Sequence, residues 1–370
     1  MDLQPLGSIE AHNGPFAFGI RNQWFALWRS GGLFGINPKL SLHALADMQP
    51  IRALTTPRVF APGRDSSQAR VKYLAVDPLA SRIAVCWSDM ANAVLPEWTL
   101  NISIYDFASD RLVSFQGFST RSPGPAGTEL AAFSPSGRML AAPSCNGCVV
   151  HLIDVDSVLD LNRQARPAER LESRGLFTSL GIAWSPDGKL LAHFCEYGAA
   201  PVLELWRLPN GDDPEHIQAE SLGRVPLQGK KGKSPWTRKA GVAFSPDSDL
   251  VAVGGLRKPN VFRLYSVARR EFVAESAPLE GEVTKLAFSP DGLQVFSGDD
   301  RGTVGAWRLK GLDPPSLVMV DSALLRRPII GLDVDREAQM LCIASASKKS
   351  VDLLTAALPG YEAGVLTDQG

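Results

Sequence analysis

Cys145-Asn146-Gly147-Cys148 is the one pair of thiols at metal-ligand spacing in this chain of 370 residues. A structural zinc site takes four ligands, yet no second C-x-x-C exists and the five histidines are scattered. Asn-Gly is the favoured two-residue turn of a β-hairpin, so the two thiols read as neighbours across a turn. Gly229-Lys-Lys-Gly-Lys-Ser234 has the look of a phosphate loop, but its Gly-Lys-Ser at 232–234 would need glycine at 227, where Leu227 stands. A strand follows it instead of the helix start that holds phosphate. Asp154-Val-Asp156 and Asp333-Val-Asp335 could open calcium loops. The positions that need glycine and glutamate hold Leu159 and Ala165 in one, Ala338 and Ala344 in the other. Neither Gly-x-Ser-x-Gly nor His-Glu-x-x-His occurs, which removes two common hydrolytic motifs. The sequence predicts no catalytic residue, no cofactor and no metal.

What recurs instead is a turn. AFSPSG (132–137), AWSPDG (183–188), AFSPDS (243–248) and AFSPDG (287–292) repeat one hexamer. Proline presets φ at the second turn position, aspartate bonds its own backbone, and glycine takes positive φ cheaply. Around the last copy, Lys285–Phe288, Leu293–Gly298 and Thr303–Leu309 read as three strands with two turns, and Ser316–Asp321 supplies a fourth. Aligned on the residue before each turn, the series is Phe18, Val76, Phe133, Trp184, Phe244, Phe288 and Val334, at spacings of 58, 57, 51, 60, 44 and 46 residues. A four-stranded unit at such a period is the signature of a propeller blade.

The chain therefore resembles the WD-repeat β-propellers, over essentially its whole length. The Ser-Pro-Asp-Gly turns carry the resemblance, with third strands ending Trp206-Arg207, Trp307-Arg308, Tyr105-Asp106 and Ile153-Asp154. No Trp-Asp dipeptide occurs, and the usual Gly-His survives as Ala11-His12. The resemblance implies an all-β fold, a seven-bladed β-propeller of four-stranded antiparallel blades spanning 1–370 as one domain. With the family's histidine-to-aspartate network mostly missing, apolar packing should hold the blades together. Leu3–Glu10 is strand-like without a partner of its own and is expected to close the ring by pairing into the last blade, whose other strands are Ile329–Val334, Met340–Ala346 and Ser350–Ala356. Tyr361–Thr367, in the tail 359–370, is the rival for that place. Segments 87–98 and 209–239 read as insertion loops, and 156–174 as an irregular piece with a helix-like start.

Composition sets limits. Five cysteines is an odd, sparse number, which argues for a reducing compartment over a disulfide framework. MDLQPLGSIE shows no signal-peptide pattern, and no run of apolar residues reaches membrane-spanning length. A cytoplasmic location without membrane contact is the expectation.

Function then falls to the loops. In the family's geometry the Ser-Pro-Asp-Gly rim collects Asp77, Asp187, Asp247, Asp249, Asp291 and Asp335. The opposite rim collects Lys230, Lys231, Lys233, Arg238, Arg257, Lys258, Arg301, Arg326, Arg327, Lys348 and Lys349, with Trp236 among them and Trp98 at the end of an insertion. A chain of net charge −1 would thus be polarised between two faces. Solvated hairpin tips and ordinary turn aspartates would give the same pattern. The expected role is a non-catalytic scaffold or adaptor subunit of a larger complex. Its basic rim would bind an acidic or phosphorylated protein segment. One alternative is a nucleic-acid-binding propeller, with Trp236 and Tyr197 stacking on bases. The other is an enzyme or ligand sensor using the central channel.

Overall fold

The computed structural model describes residues 1–10, 15–19, 23–29, 39–55, 70–90, 98–115, 119–120, 130–143, 149–160, 167–172, 177–197, 200–227, 240–256, 260–311, 316–337, 339–347 and 349–358. They form seven antiparallel sheets, each one blade. The innermost strands are Phe16–Gly19, Arg70–Val76, Ala132–Phe133, Phe177–Trp184, Val242–Phe244, Val283–Phe288 and Ile329–Asp335. Every one of the seven residues aligned in the sequence falls on its innermost strand. The second blade adds a short piece, Ser119–Thr120, paired with Trp98 and Thr99.

The ring closes through the N-terminal segment. Gln4–Glu10 runs antiparallel to Ser350–Ala357, with Ile9 opposite Val351 and Glu10 opposite Ser350. The last blade thereby gains its outer strand from the start of the chain. Tyr361–Thr367, the rival, lies outside the described residues.

Local turn chemistry makes the hairpins. Ser185, Ser245 and Ser289 Oγ accept the N–H of the residue five positions on, at 2.8, 2.9 and 2.9 Å. The aspartate two residues after each serine accepts its hydroxyl proton. These acids are tied up inside their turns, so their presence on one rim reflects turn geometry. Burial alone would raise the Asp187 carboxyl, but hydrogen bonds from Ser185, the Lys189 backbone and Ser248 bring it below the ordinary value.

Seven apolar clusters fill the seams between neighbouring blades. Phe16, Phe25 and Leu27 of the first blade meet Ile9, Ala344 and Leu353 of the last. Phe262 and Leu264 meet Leu286, Val295 and Trp307 between the fifth and sixth. Where inner strands converge there is no room for a side chain. A Cβ on Gly241 would lie 2.9 Å from the backbone of both Lys285 and Leu286.

Three segments differ from the sequence reading. Trp87 and Trp98 are strand residues, not loop residues: the hairpin Arg82–Met90 with Trp98–Asp106 pairs Trp87 with Asn101 and Met90 with Trp98. Aromatic and β-branched residues there favour continuing the ladder. Segment 209–239 contains Glu220–Pro226, the outer strand of the fourth blade. Segment 156–174 holds the end of the helix Val155–Leu159, capped by the Asp154 carboxylate, and then Pro167–Glu172, the outer strand of the third blade. Among the described residues no helix is long and apolar enough to cross a membrane.

Candidate functional site

The sixth and seventh blades bring a run of cations to the rim opposite the Ser-Pro-Asp-Gly turns. In the sixth blade the turn from Gln294–Asp299 to Thr303–Lys310 is organised by Asp299. Its Oδ1 accepts the N–H of Arg301 at 3.0 Å and of Thr303 at 2.6 Å. Asp300 turns back to accept the Glu282 N–H at 2.8 Å. These acids are spent on backbone, while the Arg301 side chain projects outward, 65% exposed and 4.0 Å from the still more exposed Glu280. A pair so solvated contributes little.

Gly302 locks this turn to the loop that enters the seventh blade. The Leu325 N–H donates to the Gly302 carbonyl at 2.8 Å. Gly302 itself has φ +97°, and a Cβ there would lie 2.4 Å from both N and O of Arg327. Arg326 follows in the left-handed region at φ +57°, exposed, with no carboxylate partner among the described residues. Arg327 is committed: its guanidinium bonds Asp352, which also accepts the Ser8 hydroxyl at 2.7 Å. Next along the rim, the Ala346 N–H donates to the Pro328 carbonyl at 3.0 Å. Ser347 Oγ then accepts the N–H of Lys349 at 3.2 Å and of Ser350 at 2.9 Å, presenting Lys349 outward.

The fold thus gathers Arg301, Arg326, Arg327 and Lys349 on one stretch of rim. All four are exposed, but Arg327 is already paired with Asp352. Lys230, Lys231, Lys233, Trp236, Arg238, Arg257, Lys258 and Lys348 lie outside the described residues. Trp98 is placed by its backbone on a blade-two strand. Tyr197 ends the strand Leu190–Tyr197, its backbone opposite Phe177 and Ala200.

The central channel is a second feature, with a cavity of about 260 Å³ between the inner strands. Its charged lining residues are Lys285 and Asp333. The Asp333 side chain opens into the channel, where it is surrounded by the inner strands but still reached by solvent. Burial pushes its carboxyl up to about 6, against smaller opposing effects of the Val334 N–H, Arg336 and Lys285. Asp333 is paired across the ladder with Cys342, whose thiol is raised to about 12 by burial and by the carboxylates of Asp333 and Asp335. The sequence reading missed this carboxylate in the channel, having weighed Asp333 solely as a calcium ligand. Strict alternation along Ile329–Asp335 would have set Asp333 on the face of Gly331.

One buried cluster has metal-binding types. His193, Cys195 and Glu204 bring ligand atoms within 4.8 Å of one another in the fourth blade. Their hydrogen bonds run elsewhere: Ser179 Oγ meets His193 Nε2 at 2.8 Å, and Arg224 Nε donates to Glu204 Oε1 at 2.6 Å. The result is a polar line across all four strands of the blade, with Arg224 already neutralising Glu204. Cys145 and Cys148 lie outside the described residues.

Seven blades around a channel, rimmed by loops, define a β-propeller. Residues 274–308, which span the last residues of blade five and three strands of blade six, match the family described as WD domain, G-beta repeat. The described chain is a seven-bladed β-propeller, and within it this one stretch matches the WD-repeat family. A chain in the solved structure titled "Crystal Structure of Mitotic Checkpoint Complex" superposes with a TM-score of 0.66. It is 15% identical, over 96% of this chain and 93% of that one. At such identity the likeness shows the fold alone. No curated protein matches the sequence.

Proposed function

We infer that the protein is a non-catalytic interaction platform within a protein complex, and that its basic rim receives an acidic or phosphorylated segment of a partner. The observation that carries this reading is the rim between blades six and seven, where Arg301, Arg326 and Lys349 face solvent beside one another while the neighbouring Asp299, Asp300 and Asp352 are held in backbone and side-chain bonds. The Arg326 guanidinium, with no carboxylate partner among the described residues, is ready for a bidentate anion. The fold supports the reading in general terms, since a similar propeller occurs in a structure whose title names a complex.

The test is an affinity purification from cells that express the protein naturally, comparing wild type with Arg301→Glu, Arg326→Glu and Lys349→Glu combined. Arg327 is left alone because reversing it would break its bond to Asp352. Loss of a specific protein in the variant, with thermal unfolding unchanged, is the expected result. Equal recovery of the same proteins would overturn the rim as the binding face. Nucleic acid recovered in place of protein, with steep salt dependence, would transfer the rim to backbone recognition.

A further inference from the structure

Each blade of a propeller ends in a free edge, and a free edge is normally blunted by charge, proline or shortness. The seven outer strands follow that rule to different degrees. Proline stands in blades one, three, four and seven (Pro50, Pro167, Pro226, Pro5), Arg111 opens the five-residue strand of blade two, and Glu271 opens that of blade five. The sixth is the least guarded. Ser316–Leu324 runs for 9 residues as SLVMVDSAL without proline or glycine, and its one charge, Asp321, is paired with the Met1 ammonium. It is the longest of the outer strands. Val318, Met319 and Val320 are each nearly 40% exposed and Leu324 is 57% exposed. Its inner side pairs with Thr303–Lys310, and among the described residues no strand pairs with its other side. The bulge at Val320 does not set it apart, since blades one, three, four and five carry a bulge at the same place.

We propose that the outer edge of blade six is a docking site for an extended segment of a partner protein, apolar at its centre and acidic at both ends, which adds as a fifth strand. The backbone of a free edge supplies the pairing, and the exposed apolar side chains select the incoming residues. Charge decides what that segment carries at its ends. Arg308 and Lys310, both exposed, stand opposite Val318 and Ser316 at one end of the strand, and exposed Arg326 follows the other end. The same charges disfavour a second copy of this chain. Antiparallel self-pairing would bring the Arg308–Lys310 end of one edge against the Arg326 end of the other. An acidic-flanked strand meets cations at both ends instead. This site is on the side wall and goes beyond the rim, with which it shares Arg326.

The probe is a synthetic peptide of alternating threonine and valine flanked by two glutamates at each end, added to the full chain. Hydrogen exchange in 316–324 should slow by about tenfold at saturation, with no change in Glu271–Glu275 of blade five. The same peptide with alternate amides N-methylated should give no protection, because it cannot pair. Val318→Glu with Val320→Glu, both at exposed positions, should weaken peptide binding by about tenfold, and Arg301→Glu with Lys349→Glu should leave it unchanged. Thermal unfolding of each variant checks that the blade is intact. Absence of protection at millimolar peptide, protection by the N-methylated peptide, or binding lost in the rim variant alone would each overturn the proposal. So would a dimer in sedimentation that the edge variant dissolves, because the occupant would then be a second copy. Failure of the edge leaves the rim reading standing, and the reverse holds too.

Discussion

The Trp307 indole N–H donates to Ser297 Oγ at 2.9 Å, across the second and third strands of the sixth blade. Trp206 stands at the matching place of the fourth blade, since Trp307 pairs with Val295 as Trp206 pairs with Leu191. There the residue equivalent to Ser297 is His193, which bonds Ser179 instead, and the buried Trp206 N–H has no partner among the described residues. The two blades therefore test one hydrogen bond with the same residue type. Ser297→Ala should destabilise by about 1–3 kcal/mol, because it leaves a buried donor unpaired. Trp307→Phe should cost more than Trp206→Phe, although both remove the same volume. Urea unfolding followed by circular dichroism reads the difference, and equal costs would mean that the bond contributes nothing.

Gly302 is the hinge pin of the basic rim. It combines φ +97° with backbone of Arg327 at 2.4 Å from any added Cβ. Alanine would meet both strain and collision, with main chain that cannot swing aside. Gly302→Ala should lower stability by about 1–3 kcal/mol and displace Arg326 and Arg327 together. Proteolysis in the 325–328 loop should quicken with it. A neutral substitution would show that the loop is not held as described.

Asp333 makes stability depend on pH in an unusual direction for a carboxyl. Its value in the fold is about 6, above the 3.8 of an ordinary aspartate. Between those values the folded chain binds more protons than the unfolded chain, so this group's contribution falls as pH rises through the window. Above about 6 the fold carries an ionised channel carboxylate, at a penalty that solvent in the channel softens. Asp333→Asn should therefore stabilise at neutral pH and above by on the order of 1 kcal/mol, a figure reduced because the channel is open to solvent. The gain should shrink to nothing as pH falls to 3.8. Urea midpoints across that range give the check, and a constant offset would place the effect in packing and not in charge.

The hairpin turns and inner strands were legible in the sequence because their causes are local. Ser-Pro-Asp-Gly fixes its own geometry, and Phe133, Trp184, Phe244 and Phe288 each precede this turn or a one-residue variant of it. Ring closure by Gln4–Glu10 followed from counting strands, since the last blade had three and the start of the chain had one to spare. The outer strands of blades three and four were hidden in what read as insertions. Pro167–Glu172 and Glu220–Pro226 mix charges with proline and glycine, and their pairing to Val149–Asp154 and Ala200–Arg207 gives them strand form, not any period of their own. Arg301, Arg326, Arg327 and Lys349 were readable as rim residues from loop position alone. That Arg327 is bound to Asp352 was not, because the partner sits 25 residues on in a strand whose register only the folded blade defines. The channel face of Asp333 was hidden for the same reason.

Glu204 is the central member of the polar line across blade four. Arg224 Nε donates to its Oε1 at 2.6 Å, while its Oε2 lies 3.5 Å from His193 Nδ1. Glu204 is almost fully buried, but Arg224 is 35% exposed. Such pairs are costly to halve: removing one partner leaves the other charge without compensation. Glu204→Ala should destabilise by about 2–4 kcal/mol, below the range for a fully buried pair because Arg224 can reach water. Arg224→Ala alone should cost similarly, as it leaves the buried carboxylate with a histidine for company. Replacing both by leucine and methionine should recover much of the loss, since a packed apolar pair avoids the desolvation of either charge. A double-mutant cycle in urea measures the coupling directly, with about 1–3 kcal/mol expected. A coupling near zero would mean that Glu204 is stabilised chiefly by its neighbours on the His193 side. Glu204→Ala should then cost as much in the absence of Arg224 as in its presence.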